Sequence, residues 1–197
     1  MRELEYRAVR ELELRDDNGQ KKLSGYAAIF NSRSVDLGGF VEVIRPGAFK
    51  RCLASGADVR AMLEHDPGRI FARNRAGNLK VGEDERGLRV EITPNDTQAG
   101  RDVIEHVRSG VLDSMSFGFY VAPGGEQWDS KALPHVRELT DLDLDDVSVV
   151  AYPAYLKTEI ALRSLESAKA AAGQEHAMAV AQIEARQRRL RLREKGA

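Results

Sequence analysis

Three short stretches of this chain carry side chains suited to acid–base or nucleophilic chemistry. The first contains His65. Val59, Ala61 and Leu63 alternate with Asp58, Arg60, Met62 and Glu64, and His65 continues the apolar phase, so it is expected to turn inward at a strand end before Asp66-Pro67-Gly68. An inward histidine is most often a hydrogen-bonded structural residue. Its ordinary pKa near neutrality also suits it to be a general base. The second stretch is DSMSFGFYV, Asp113 to Val121. Met115, Phe117, Phe119 and Val121 fall on one face of a strand; Ser114, Ser116, Gly118 and Tyr120 fall on the other. A serine pair on one face is commonly a plain exposed edge, whereas a glycine in mid-strand often marks close approach by another group. A nucleophilic serine needs such access and a base within hydrogen-bond reach. Ser114 and Ser116 share an orientation, so periodicity leaves both open.

The third stretch is acidic: RELTDLDLDDVSVV, Arg137 to Val150. Asp141, Asp143 and Asp145 take the water phase. Glu138 and Asp146 share the other phase with Val136, Thr140, Leu142 and Leu144. A carboxylate on an apolar face needs a partner, because an unpaired buried charge is costly. That partner is either a histidine that becomes cationic during turnover or an arginine such as Arg60 or Arg137.

Other chemistry finds little support. His106 and His176 lie among charged neighbours on expected helices and should be exposed, and His135 falls in a polar phase. No two histidines stand four apart and no HExxH occurs, so neither a metal nor another cofactor is expected. Cys52 is the only cysteine, which removes internal disulfides and thiolate zinc clusters and suits a reducing cytoplasm. The 197 residues carry a formal charge of -1, which provides no global attraction to nucleic acid or anionic membrane. No apolar run approaches the ~20 residues of a membrane span, and the charged start MRELEYRAVRELELR does not read as a signal peptide.

The elements that must position these residues read mainly as short strands. Glu3 to Leu14 is an expected strand before the turn Asp16-Asp17-Asn18-Gly19. Further strands are expected at Leu23 to Phe30, Phe40 to Ile44, Val59 to Glu64, Met115 to Val121, about Val136 to Leu144, and Val147 to Tyr152. Leu79 to Val81 and Leu88 to Ile92 flank the polar turn GEDERG as a hairpin. Pro46-Gly47 is expected to open a short helix carrying Phe49, Cys52 and Leu53 that stops before Gly56. A longer helix is expected from Thr97, as N-cap, to Arg108, with Val103, Ile104 and Val107 on one face. After Pro153 the composition changes to Ala, Glu, Gln, Arg and Leu, good helix formers. Two helices split near Gly173 are expected, ending in Arg186, Arg188, Arg189, Arg191, Arg193 and Lys195. Such a basic end is commonly a solvated helix or frayed tail; the sharper reading is an anionic docking or targeting surface.

Taken together, the segments GYAAIFNSRSVDLGGFVEVIRPGAF (Gly25 to Phe49), MLEHDPGRIFAR (Met62 to Arg73), GLRVEI (Gly87 to Ile92), VRSGVLDSMSFGF (Val107 to Phe119) and LDDVSVVAYPAY (Leu144 to Tyr155) resemble, in order, the prohead protease family of HK97-like phages. That family is distantly similar to herpesvirus assemblins. The resemblance implies a small β-barrel flanked by helices, in an α+β class that is mainly β, over residues 1–158, with a helical extension over 159–197. It implies a serine endopeptidase with His65 as general base and Ser116 of the S-F-G-F element as nucleophile, Ser114 being the alternative. Asp146 stands where the family usually has glutamate before its V-S element; one methylene shorter, it is the expected orienting acid, with Glu138 as alternative. Implied partners are the major capsid protein with its scaffolding segment, and the chain itself through self-cleavage and dimer formation. The implied setting is an assembling prohead in the bacterial cytoplasm, encoded by a phage or prophage. A non-catalytic capsid assembly or scaffolding protein on the same barrel is the rival reading. A nucleic-acid-binding barrel leans on the arginine-rich terminus alone, since the rest of the chain lacks the aromatic-plus-basic face such binding uses.

Overall fold

The computed structural model describes residues 2–129 and 131–151, with isolated helical positions at 166, 169, 170, 174 and 178. Nearly all of the expected helices after Pro153, with His176 and the basic end, lie outside the described residues. Residues 2–151 are mainly β. The strands are β1 (Glu5–Val9), β2 (Leu12–Asp17), β3 (Gln20–Ile29), β4 (Phe40–Ile44), β5 (Arg60–Leu63), β6 (Ile70–Arg73), β7 (Leu79–Glu83), β8 (Gly87–Ile92), β9 (Ser114–Val121), β10 (Glu126–Asp129), β11 (His135–Leu139) and β12 (Leu142–Val150). Helices α1 (Lys50–Ala54) and α2 (Gln98–Arg108) interrupt them.

Three sheets result, ordered β1-β9-β12-β5-β6, β10-β11-β4 and β2-β3-β8-β7. The first carries the site. Its centre is the antiparallel pair of β9 and β12, and β5 joins β12 in parallel. Phe117, Phe119, Val147, Val149, Ala61 and Leu63 project from one face of this sheet into the main core with Phe49, Phe71 and Leu88. Phe49 meets Phe117 edge-on at 5.4 Å, and Phe117 stacks on Phe119 at 5.0 Å. The hairpin β7–β8 forms where the polar turn predicts it. Helix α2 starts as its sequence suggests, the Thr97 hydroxyl accepting the Gly100 N–H at 3.2 Å, with Val103 fully buried.

Several expectations are corrected. The strand expected over Glu3 to Leu14 is two, because the chain leaves the first sheet after Val9 and enters the third at Leu12. Pro46-Gly47 does not open α1. With Gly47 at φ 90° and the Ala48 N–H bonded to the Arg45 carbonyl at 3.1 Å, these residues sit at the centre of a type II turn, and the helix begins at Lys50. The strand expected over Val136 to Leu144 splits at Thr140-Asp141 into β11 and β12, which belong to different sheets. His106 is half-buried rather than exposed.

Candidate active site

His65 lies one turn beyond β5 rather than on the strand. The Asp66 N–H bonds to the Leu63 carbonyl at 3.1 Å, and the two residues between them, Glu64 and His65, have φ of 55° and 56°. Two left-handed centres in succession mark a type I′ turn, the kind that reverses a twisted hairpin. Non-glycine residues enter that region at a cost, and such strain collects at functional sites. The turn is fastened by the Glu64 N–H on the Val149 carbonyl at 3.0 Å and by the Glu64 carboxylate, which accepts the Ala151 N–H at 2.7 Å. It swings the imidazole over the face of the sheet opposite the core.

Ser116 and Asp146 stand on that face. In the ladder Ser116 is opposite Ser148, and Gly118 is opposite Asp146. A β-bulge accounts for the second pairing. Leu144 pairs with Phe119 and Asp146 with the next residue, Gly118, leaving Asp145 as the extra residue. Leu142 and Leu144 face the core before the bulge; Val147 and Val149 face it afterwards. Asp146 and Ser148 are thereby turned to the serine side, and the simple alternation that put Asp146 with Leu142 and Leu144 fails here.

The imidazole bridges the two groups. Nδ1 is 2.7 Å from Asp146 Oδ1, and Nε2 is 2.7 Å from Ser116 Oγ. An ionised carboxylate only accepts, so Nδ1 carries the proton and Nε2 is free to accept from the hydroxyl. The same hydroxyl also reaches the Arg7 carbonyl on β1 at 2.9 Å. Tyr6 of β1 lies against the other side of the ring, with centroids 4.1 Å apart. The Asp146 side chain is 1% exposed and that of His65 13%. Burial, then the negative charge of Asp146, pushes the Tyr6 phenol up; burial, opposed by the Arg60 charge and aided by that of Asp146, pushes the Asp145 carboxyl up.

The remaining sequence candidates lie elsewhere. Ser114 is buried and donates to Asp113 Oδ1 at 2.8 Å. Glu138 is on β11 in another sheet and pairs with Arg45, which holds its carboxyl low. Arg60 pairs with Asp145 rather than Asp146, and Arg137 with Glu5, Glu42 and Glu126. Sequence reasoning passed over Ser148, whose hydroxyl donates to Asp146 Oδ1 at 2.8 Å; its place two residues after Asp146 was the available signal. It also passed over Tyr6, for which the sequence carries none. Among the described residues no group of three or more His, Cys, Asp and Glu is arranged to hold a metal ion, and no helix is long and apolar enough to cross a membrane.

Comparison with known proteins gives matches of two kinds. The family model described as caudovirus prohead serine protease matches residues 8–171. The solved structure of the bacteriophage T4 capsid assembly protease aligns with a TM-score of 0.53 at 10% identity, covering 77% of this chain and 99% of that one. At that identity the likeness is one of fold. No curated protein matches in sequence.

Proposed function

The chain belongs to the caudovirus prohead serine protease family, and from that premise we propose that it is a serine endopeptidase in which Ser116 attacks, His65 serves as general base and Asp146 orients the imidazole. The observation that carries this reading is the imidazole held 2.7 Å from both the hydroxyl and the buried carboxylate. As Ser116 Oγ bonds to a peptide carbonyl carbon, its proton passes to His65 Nε2. The imidazolium is stabilised by Asp146 and returns the proton to the leaving amine; water then hydrolyses the acyl-enzyme by the reverse transfer. The hydroxyl's second acceptor, the Arg7 carbonyl, can hold the proton whenever Nε2 is itself protonated.

The substrates proposed are the major capsid protein, at the junction with its scaffolding segment, and the chain itself, within an assembling prohead. Residues 1–158 are taken as the protease domain, its sheets closing as a small assemblin-like barrel that pairs with a second copy. Residues 159–197 are taken as a docking extension. The test is co-expression with the capsid protein. Ser116→Ala and His65→Ala should fold and leave the capsid protein uncut, while Ser114→Ala cuts it normally. Cutting by Ser116→Ala and none by Ser114→Ala would move the nucleophile to Ser114. Cutting by neither the wild type nor any variant would favour the scaffolding reading.

A further inference from the structure

We infer that Ser148 and Gly118 are positioning residues for the Asp146 carboxylate, so that the relay through His65 has a fourth hydrogen-bonding member; this rests on the triad reading above. Asp146 Oδ1 accepts from both His65 Nδ1 and Ser148 Oγ, at 2.7 and 2.8 Å. Oδ2 is buried with no hydrogen-bond partner among the described residues. A carboxylate bonded through one oxygen alone is free to swivel about its Cβ–Cγ bond unless something fixes that oxygen and something else blocks the other. Ser148, fully buried, does the first. Gly118 allows the second: a Cβ built there overlaps Oδ2 outright, stands 3.2 Å from Asp146 Cγ and 3.0 Å from Tyr6 Cε1. Oδ2 thus rests against a backbone position that only glycine leaves open. This is the close approach by another group that a mid-strand glycine signals.

The two residues reach the carboxylate by the same device. The bulge at Asp145 places Asp146 and Ser148 on one face, and the ladder then sets Asp146 against Gly118 and Ser148 against Ser116. Removing the Ser148 hydroxyl leaves Oδ1 with one donor and a fully buried anion with one fewer hydrogen bond. Such a carboxylate turns more freely about its Cβ–Cγ bond and holds the imidazole less firmly toward Ser116.

The experiment measures the rate of labelling of the full chain by a fluorophosphonate. In that reaction Ser116 Oγ bonds to phosphorus, fluoride leaves with the P–F electron pair, and the hydroxyl proton passes to His65. Ser148→Ala is expected to lower kinact about 10-fold, the worth of one hydrogen bond to a charged group, with KI unchanged. Ser148→Thr, which keeps the hydroxyl, should recover most of the rate. Gly118→Ala should lower kinact by displacing the same carboxylate from its other side. Wild-type kinact in Ser148→Ala overturns the role of Ser148, as does a Thr variant as slow as the Ala variant; a fully active Gly118→Ala overturns that of Gly118. A wild-type chain that takes no label overturns the triad reading and this inference together.

Discussion

Asp146 is 1% exposed, yet among the described residues the only basic side chain bonded to it is His65. A buried carboxylate without a permanent countercharge is costly to keep, and in the proposed mechanism an imidazole that gains charge during turnover supplies that countercharge when it is needed. Replacing the acid by its amide removes this support and destabilises the tautomer that leaves Nε2 free. Asp146→Asn should therefore retain the fold and lose roughly 10⁴-fold in turnover. Glu138→Gln, which removes the Arg45 pair in another sheet, should cut peptide at the wild-type rate; steady-state cleavage of a capsid junction peptide by both variants checks this. At this scale the sequence was only half legible. Alternation put Ser114 and Ser116 on one face without ranking them, and the ranking came from family resemblance. What separates them in space is the reach of a histidine from β5, a long-range fact with no local trace. The shorter side chain of aspartate, in doubt against the family's usual glutamate, still comes within 2.7 Å of the imidazole because the bulge brings its backbone onto the serine face.

Two elements position the imidazole and the hydroxyl. The type I′ turn at Glu64-His65 was hidden because neither residue is glycine or asparagine, the usual signal for such a turn; the strand phase simply ran on through His65. Glu64 at φ 55° offers a clean test. Glu64→Gly and Glu64→Val both lose the bond to the Ala151 N–H, but only valine resists the left-handed region. The valine variant should be less stable than the glycine variant by about 1–2 kcal/mol and slower to cleave, as read by urea melts and peptide hydrolysis. The other element is β1, which brings Tyr6 and the Arg7 carbonyl to the site. Its core-side residues, Glu5 and Arg7, join Glu42 and Arg137 in a buried ionic cluster. Burial works to raise the Glu5 carboxyl, but the Arg137 and Arg7 guanidiniums outweigh it and hold the carboxyl below the ordinary glutamate value. The folded value lies below the unfolded one, so the stabilisation is complete above about pH 4.5 and drains away as pH falls through the lower folded value. Glu5→Gln should be less stable at neutral pH and lose less of its remaining stability on acidification, measured as urea midpoints from pH 7 downward. Nothing in the period of β1 announces two buried charges; only their partners on β4 and β11 make them tolerable.

Over the whole molecule, local signals were read well and pairings were not. The bounds of β4, the β7–β8 hairpin and the Thr97 cap are set by neighbours in sequence. The order β1-β9-β12-β5-β6 joins residues more than a hundred positions apart, and short β6 and β10, without clean alternation, went unread. The composition change at Pro153 suggests that activity and placement are separable. Ending the chain at about Arg163 should leave peptide cleavage intact while reducing incorporation into heads, as judged by protease content of purified proheads; loss of the thermal unfolding transition would contradict that division. The central claim is that folding delivers one particular hydroxyl to the imidazole. Mass spectrometry of peptides from the fluorophosphonate-treated chain tests it most directly: the adduct should sit on Ser116 and vanish in His65→Ala, and an adduct on Ser114, or one indifferent to His65, would contradict the account.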